Sequence, residues 1–238
     1  MGGTGIGERL LQCAQEAVHV PTSFGLMQAR VLRWGAAEAL LVARHGGGHR
    51  VPPHSVNYRA MAEGLVRLGV RHCLASAAVG SLRPEWGPGT LVVCSDFLEL
   101  SGRAVSRFER SVAHTDFSRP FDPKGRAALL ESAAAAGEEV QDGGVYVCAN
   151  GPRYETPAEI AQYRRIGGDL VGMTAGSEAV AMREAGIGYA CLAVVTNAAS
   201  GVAGAPLSHD EVVQEMERSG ERAVTVLKGA VERLSGSD

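Results

Sequence analysis

The chain has no basic excess, no cysteine pair and no long apolar run, and each absence removes a class of protein. Its net charge is −3, so no surplus of lysine and arginine exists to neutralise a row of phosphates, and no nucleic-acid partner is expected. The five cysteines (Cys13, Cys73, Cys94, Cys148 and Cys191) are odd in number and scattered, with no C-x-x-C spacing. Three of them sit inside apolar runs, which suits buried free thiols in a reducing compartment better than a disulfide framework. No stretch is apolar for long enough to span a bilayer and no signal peptide is recognisable, so no membrane association and a cytoplasmic location are expected. Internal repeats, low-complexity tracts and linkers are missing as well. With 238 residues, 45% hydrophobic and 21% charged, the chain has ordinary globular composition and can bury one large core. One domain over residues 1–238 is expected.

What is present is an alternation of short apolar runs with helical segments. "ALLVARH" (Ala39 to His45), "HCLASAAVGSL", "TLVVCSDFL", "GVYVCA", "DLVGM" and "YACLAVVTN" read as strands covered on both faces. Between them, Asn57 to Leu68 sets Met61, Leu65 and Leu68 at helical spacing, and "DPKGRAALLESAAAAG" is rich in helix formers and ends on glycine. "TPAE" offers Thr156 as cap, Pro157 at the first helical position and Glu159 closing a capping box; "SHDE" repeats the pattern with Ser208 and Glu211 ahead of a long amphipathic helix. The expected fold is an α/β domain with a mixed central sheet flanked by helices. In such sheets ligands sit beyond the carboxyl ends of strands, where the polar residues of this chain fall.

"GGTG" (Gly2 to Gly5) allows close backbone approach and gives Thr4 as a donor to an anion, or is a plain turn; only Met1 precedes it, so the strand that would deliver such a loop reads as missing. "ARHGGGHRVPPH" ends a strand on Arg44 and His45, a cationic pair beside a glycine loop, suited to an oxyanion. A metal site from His45, His49 and His54 is the weaker reading, because the spacings fit no helix face and no carboxylate joins them. "SAAVGSL" has side chains small enough for a ligand to lie against backbone. In "NGPRYETPAE", Tyr154 could stack on a planar ring and Glu155 accept its N–H, or Glu155 could merely complement a helix dipole. Met173 and Thr174 end a strand ahead of a helix starting near Ser177 and Glu178; they suit a sugar and an anion, or a core methionine and a turn. Asn197 ends "LAVVTN" as a turn residue or as an amide reading a ligand, and His209 opens the last helix, where it could bond a hydroxyl.

In this order and spacing, "GGTG", "ARHGGGHRVPPHSVNYRA", "VGSL", "NGPRYETPAEI", "VGMT" and "VVTN" resemble the trimeric purine nucleoside phosphorylase and methylthioadenosine phosphorylase superfamily over nearly the whole chain, with "HTDFSRPFD" (His114 to Asp122) similar to the bacterial methylthioinosine phosphorylase type. The resemblance implies the nucleoside phosphorylase fold and the attack of inorganic phosphate, a co-substrate, on the anomeric carbon of a nucleoside, with no metal and no organic cofactor. It implies phosphate contacts from Thr4, Arg44, His45, Thr174 and the backbone at Ala78. Base and ribose contacts would come from Val79, Gly80, Tyr154, Glu155, Met173, Asn197 and His209, with Asn197, Glu155 and His209 carrying the chemistry. Relatives that cleave adenine nucleosides carry aspartate at the position of Asn197 and no glutamate at that of Glu155, so this pair implies a 6-oxopurine. A histidine at position 209 favours inosine and guanosine over methylthioinosine. The alternatives are a methylthioinosine phosphorylase, a methylthioadenosine or adenosine phosphorylase, and a nucleoside-binding protein without turnover. Ala77 stands where some relatives offer phosphate a hydroxyl. A homotrimer, or two trimers paired as a hexamer, is implied, with His114 reaching a neighbouring subunit's pocket.

Overall fold

A computed structural model of the protein describes residues 1–202 and 208–236. The largest unit is a seven-stranded mixed sheet in the order β6-β8-β9-β4-β10-β5-β7. Its strands are β4 (His72–Ser81), β5 (Leu91–Val93), β6 (Asp96–Glu99), β7 (Val140–Asp142), β8 (Val145–Cys148), β9 (Leu170–Gly172) and β10 (Gly188–Ala198). The two longest, β4 and β10, run parallel at its centre. β10 shows why they form there. Cys191, Ala193 and Val195 face one core and Ala190, Leu192 and Val194 face the other, all fully buried, so an unbroken apolar run is the pattern required. Each large aliphatic side chain so buried contributes about 1.5–3 kcal/mol.

On one face pack α1 (Ile6–Leu11), α3 (Pro123–Ala136) and the long α6 (His209–Ser235); the other carries α2 (Tyr58–Arg67) and α5 (Ala175–Glu184). A further helix, α4 (Pro157–Arg165), starts on the expected capping box, with Thr156 and Glu159 each bonding the other's backbone N–H. Ser208 caps α6 as read from sequence, and Asn57 and Asp122 cap α2 and α3. Leu68 departs from expectation. It lies just past α2 and is 41% exposed, so the buried stripe ends at Leu65.

Three expectations about strands need correction. "TLVVCSDFL" is two strands, and their pairing shapes the sheet. Only Cys94 and Ser95 separate β5 from β6, yet β5 pairs with β10 and β6 with β8. Three steps of extended chain reach about 11 Å, whereas five interstrand spacings in a flat sheet would need about 24 Å. The sheet therefore curls until its two sides approach. "ALLVARH" does not join it. β3 (Ala37–Leu41) pairs instead with β2 (Gly25–Trp34), which pairs in turn with β1 (Ala17–Thr22); the three form an antiparallel sheet, and β1 and β2 are unforeseen. Their apolar residues alternate with charged or polar ones (Met27, Ala29 and Val31 inward, Gln28 and Arg30 outward), so no continuous run marks them. Finally, "GGTG" does not lack delivery. Gly2 bridges Ala43 in parallel, with Gly2 N–H donating to the Val42 carbonyl at 2.9 Å and Arg44 N–H to Gly2 at 3.2 Å. Among the described residues no helix is long and apolar enough to cross a membrane.

Candidate active site

The strands deliver polar residues to one cavity of about 320 Å³. It lies alongside β4 rather than beyond it, which refines the expectation of a ligand past strand ends. β9 is antiparallel to β4, pairing Val171 with Gly80. Its carboxyl end thus points back along β4, bringing Met173 and Thr174 to the small residues Ala77 and Ala78.

At this end sits Arg44, 2% exposed. Its Nε and Nη2 donate to the two oxygens of Glu178, the latter at 2.8 Å, and Nη2 also donates to the Ser76 carbonyl at 3.1 Å. Glu178 is fully buried and accepts a third bond from the Tyr189 hydroxyl at 2.7 Å. Burial alone would raise the Glu178 carboxyl; Arg44 overrides it and holds the group below its usual range. The remaining Arg44 nitrogen, Nη1, faces Gly3, where any β-carbon would come within 2.6 Å of it. Gly3 N–H in turn donates to the Ser76 hydroxyl at 3.1 Å, fixing the loop that carries Thr4 to the cavity.

Thr174 stands at the amino end of α5 without capping it. The phenol oxygen of Tyr146 takes over, accepting from Thr174 N–H at 3.2 Å and Ala175 N–H at 3.4 Å. The threonine hydroxyl is released from capping and lines the cavity at the positive end of the α5 dipole, an arrangement suited to an anion.

His45 corrects the reading of a cationic pair. Its Nδ1 lies 2.8 Å from the Val51 carbonyl, which can only accept, so Nδ1 carries the hydrogen. Burial, followed by the Arg44 charge, pushes its pKa down to about 4. The ring is neutral at physiological pH and offers Nε2 as an acceptor. Positive φ at Gly46 (69°) and Gly48 (70°) folds the loop back so that His49 packs on His45, ring centroids 4.2 Å apart, and His209 follows at 5.8 Å from His49. His54, grouped with His45 and His49 in the weaker metal reading, is not in this row, and His209 is. Among the described residues no group of three side chains is arranged to hold a metal ion.

At the opposite end, Glu155 is 7% exposed. Burial raises its pKa above the usual carboxylate value, and the charge of Arg153 offsets that only in part. Asn197 reaches the cavity through a bulge. Val195 pairs with Val79 but Asn197 pairs with Gly80, so Thr196 is an inserted residue. The Asn197 carbonyl accepts from the Thr196 hydroxyl at 2.8 Å and its amide donates to the Ala198 carbonyl at 2.9 Å. One amide hydrogen and one carbonyl lone pair stay available. Tyr154 and Met173 line the stretch between the ends.

The cavity thus unites Thr4, Arg44, His45, Ala78, Val79, Gly80, Tyr154, Glu155, Met173, Thr174, Asn197 and His209, every candidate read from sequence but one. His114 is exposed on the irregular stretch 100–122 and is absent from this lining. Sequence reading missed Glu178 as the partner of Arg44, although its place four residues after Thr174 puts both on one helix face. It also missed Tyr146 and Val212, and it named His49 only in the weaker metal reading.

The cavity lining offers Arg44 and Thr174 for an anion, Met173 for a sugar, and Glu155 with Asn197 for a planar base, the set of groups that displacement at a glycosidic carbon needs. The comparisons agree in kind. A protein of Moorella thermoacetica named probable 6-oxopurine nucleoside phosphorylase is 41% identical over 97% of this chain and 90% of its own length. A probable S-methyl-5′-thioinosine phosphorylase of Methanopyrus kandleri is 38% identical over 98% and 91%. The methylthioadenosine phosphorylase of Schistosoma mansoni, solved with adenine, superposes with a TM-score of 0.92 at 29% identity, covering 100% of this chain and 91% of that one. With residues 1–232 matching as well, the chain belongs to the Phosphorylase superfamily.

Proposed function

We propose that the protein catalyses phosphorolysis of 6-oxopurine nucleosides, inosine and guanosine, releasing the free base and ribose 1-phosphate. The observation that carries this reading is the pairing of Glu155 with Asn197 in one cavity with Arg44 and Thr174. A glutamate accepts from N1–H, which hypoxanthine and guanine have and neutral adenine lacks. N7 takes up a proton from solvent as the base departs; the asparagine carbonyl accepts from that N7–H while its NH₂ donates to O6, relieving charge on the base. Phosphate oxygen bonds to C1′ as the C1′–N9 bond breaks, and both electrons leave with the purine. Arg44, Thr174, Thr4 and the backbone at Ala78 hold the phosphate. Neutral His45 accepts the hydrogen of a protonated phosphate oxygen. Phosphate is a co-substrate, and no metal or organic cofactor takes part.

Inosine incubated with and without phosphate tests the reading. Hypoxanthine should form only with phosphate. Release without it would indicate hydrolysis, and binding of inosine without turnover at any phosphate concentration would indicate a binding protein in which Ala77 has cost phosphate affinity.

A second reading, S-methyl-5′-thioinosine as substrate, is favoured by Val212, an apolar side chain lining the cavity one turn after His209. His209→Ala should hurt inosine more than methylthioinosine; equal losses would remove His209 from substrate choice. We further assign a cytoplasmic location and a homotrimer, or a hexamer of two trimers, in which His114 of a neighbouring copy closes the pocket. The mass in solution, and the effect of His114→Ala on turnover, test the assembly.

A further inference from the structure

We infer that Arg103 is a positioning residue for this reaction, tying the strand ends that carry the base-binding and sugar-binding residues into one unit. The inference rests on the phosphorolysis reading above. Arg103 lies on the irregular stretch after β6, where no periodicity singles it out. Its guanidinium nonetheless works as a knot. Nε donates to the Asn150 side-chain carbonyl at 3.0 Å, and Nη2 donates to the backbone carbonyls of Ala149, at 3.2 Å, and Asn150. Nη1 donates to the Met173 carbonyl at 2.6 Å and to the hydroxyls of Tyr58 and Ser177, each at 3.1 Å.

These partners are not a random set. Ala149 and Asn150 follow β8 and lead into the loop that presents Tyr154 and Glu155. Met173 follows β9 and precedes Thr174, and Ser177 lies in the first turn of α5. One planar cation thus spans two neighbouring strand ends through their main chain, where a side-chain change elsewhere could not substitute. Carbonyls at strand ends have no ladder partner, and a fork of five N–H donors is the one side chain able to satisfy several at fixed spacing. Gly151 underlines how close the two segments lie: a β-carbon there would come within 2.3 Å of the Met173 sulfur. The partners of Arg44, namely Glu178 and Ser76, are not among those of Arg103. Arg103 therefore bonds the base- and sugar-bearing segments directly and reaches the phosphate end only through the Met173–Thr174 peptide and the first turn of α5, so its loss should bear more on inosine than on phosphate.

Arg103→Ala and Arg103→Lys, assayed on inosine with each substrate varied in turn, test this. Misplacing reacting groups by about 1 Å costs on the order of 100-fold in rate. We expect kcat/KM for inosine to fall by about 100-fold in the alanine variant, while the KM for phosphate stays within about threefold. Lysine, a single point donor, should rescue little. Millimolar guanidinium should restore part of the kcat of Arg103→Ala, and methylammonium should not. Turnover of inosine within threefold of the wild type would overturn the inference, as would parallel loss of both substrates' parameters without guanidinium rescue. Should the alanine variant fail to fold, the same split in the lysine variant decides. Absence of turnover in the wild type would indict the phosphorolysis reading instead.

Discussion

The two ends of the cavity differ in how far their polar groups are already partnered. At the phosphate end, Arg44 is locked to Glu178 and Ser76, Glu178 to Tyr189, and the α5 amino end to Tyr146. At the base end, Glu155 is buried, and its pKa is raised because the charge of Arg153 does not offset that burial. On the proposed reading, the contrast follows from what each end would receive. A phosphate carries charge whatever the substrate, so its site can be assembled in advance. A base is selected by its hydrogen-bond pattern, and selection needs groups that are unsatisfied until the right pattern arrives.

The largest effect should come from unlocking the assembled end. Glu178→Ala leaves a buried guanidinium unpaired and should cost about 3–5 kcal/mol of stability, measured by urea unfolding. A loss under about 1 kcal/mol would mean that the pair is not the brace described. Next comes the selective end. Asn197→Asp should lower kcat/KM for inosine by about 100-fold and shift the inosine-to-adenosine ratio towards adenosine; an unchanged ratio in competition assays would break the contrast. Smaller again is Tyr146→Phe. Two amide hydrogens lose their acceptor and the Thr174 hydroxyl can fold back to cap α5. The KM for phosphate should rise about tenfold with the KM for inosine unchanged, and equal changes in both would refute the division of labour.

The smallest effect concerns stability against pH. Glu155 has a raised pKa in the fold, so its ionisation opposes folding above that value, and below 4.5 both states are protonated and the effect disappears. Glu155→Gln should therefore raise the melting temperature at pH 7, with the gain vanishing as the pH falls towards 4.5. A gain that is the same at both pH values would mean that ionisation is not its source.

Much of this was legible in residue order. Helix caps announce themselves locally, since Thr156 with Glu159 and Ser208 with Glu211 satisfy backbone groups within one turn. The central strands are legible because β4 and β10 are covered on both faces. β1 and β2 are not, because they have one exposed face and charged residues interrupt them. The split of β5 from β6 is a property of sheet closure, which no seven-residue window carries. At the site, residues at strand ends and in glycine loops could be found. Tyr146 and Arg103 could not, since each acts on main chain contributed by distant segments, and Tyr146 looks like any buried aromatic in a strand.

The inserted Thr196 has a consequence for how such a protein changes over time. Up to Val195, every position of β10 answers to two helical layers, and its choice is limited by packing. After the insertion the register is reset, and the Asn197 side chain, hydrogen-bonded to its chain neighbours Thr196 and Ala198, faces the cavity. The boundary between inherited scaffold and adjustable recognition runs through a single strand, one residue wide. Substrate preference can drift at position 197 while the core two residues earlier stays untouched.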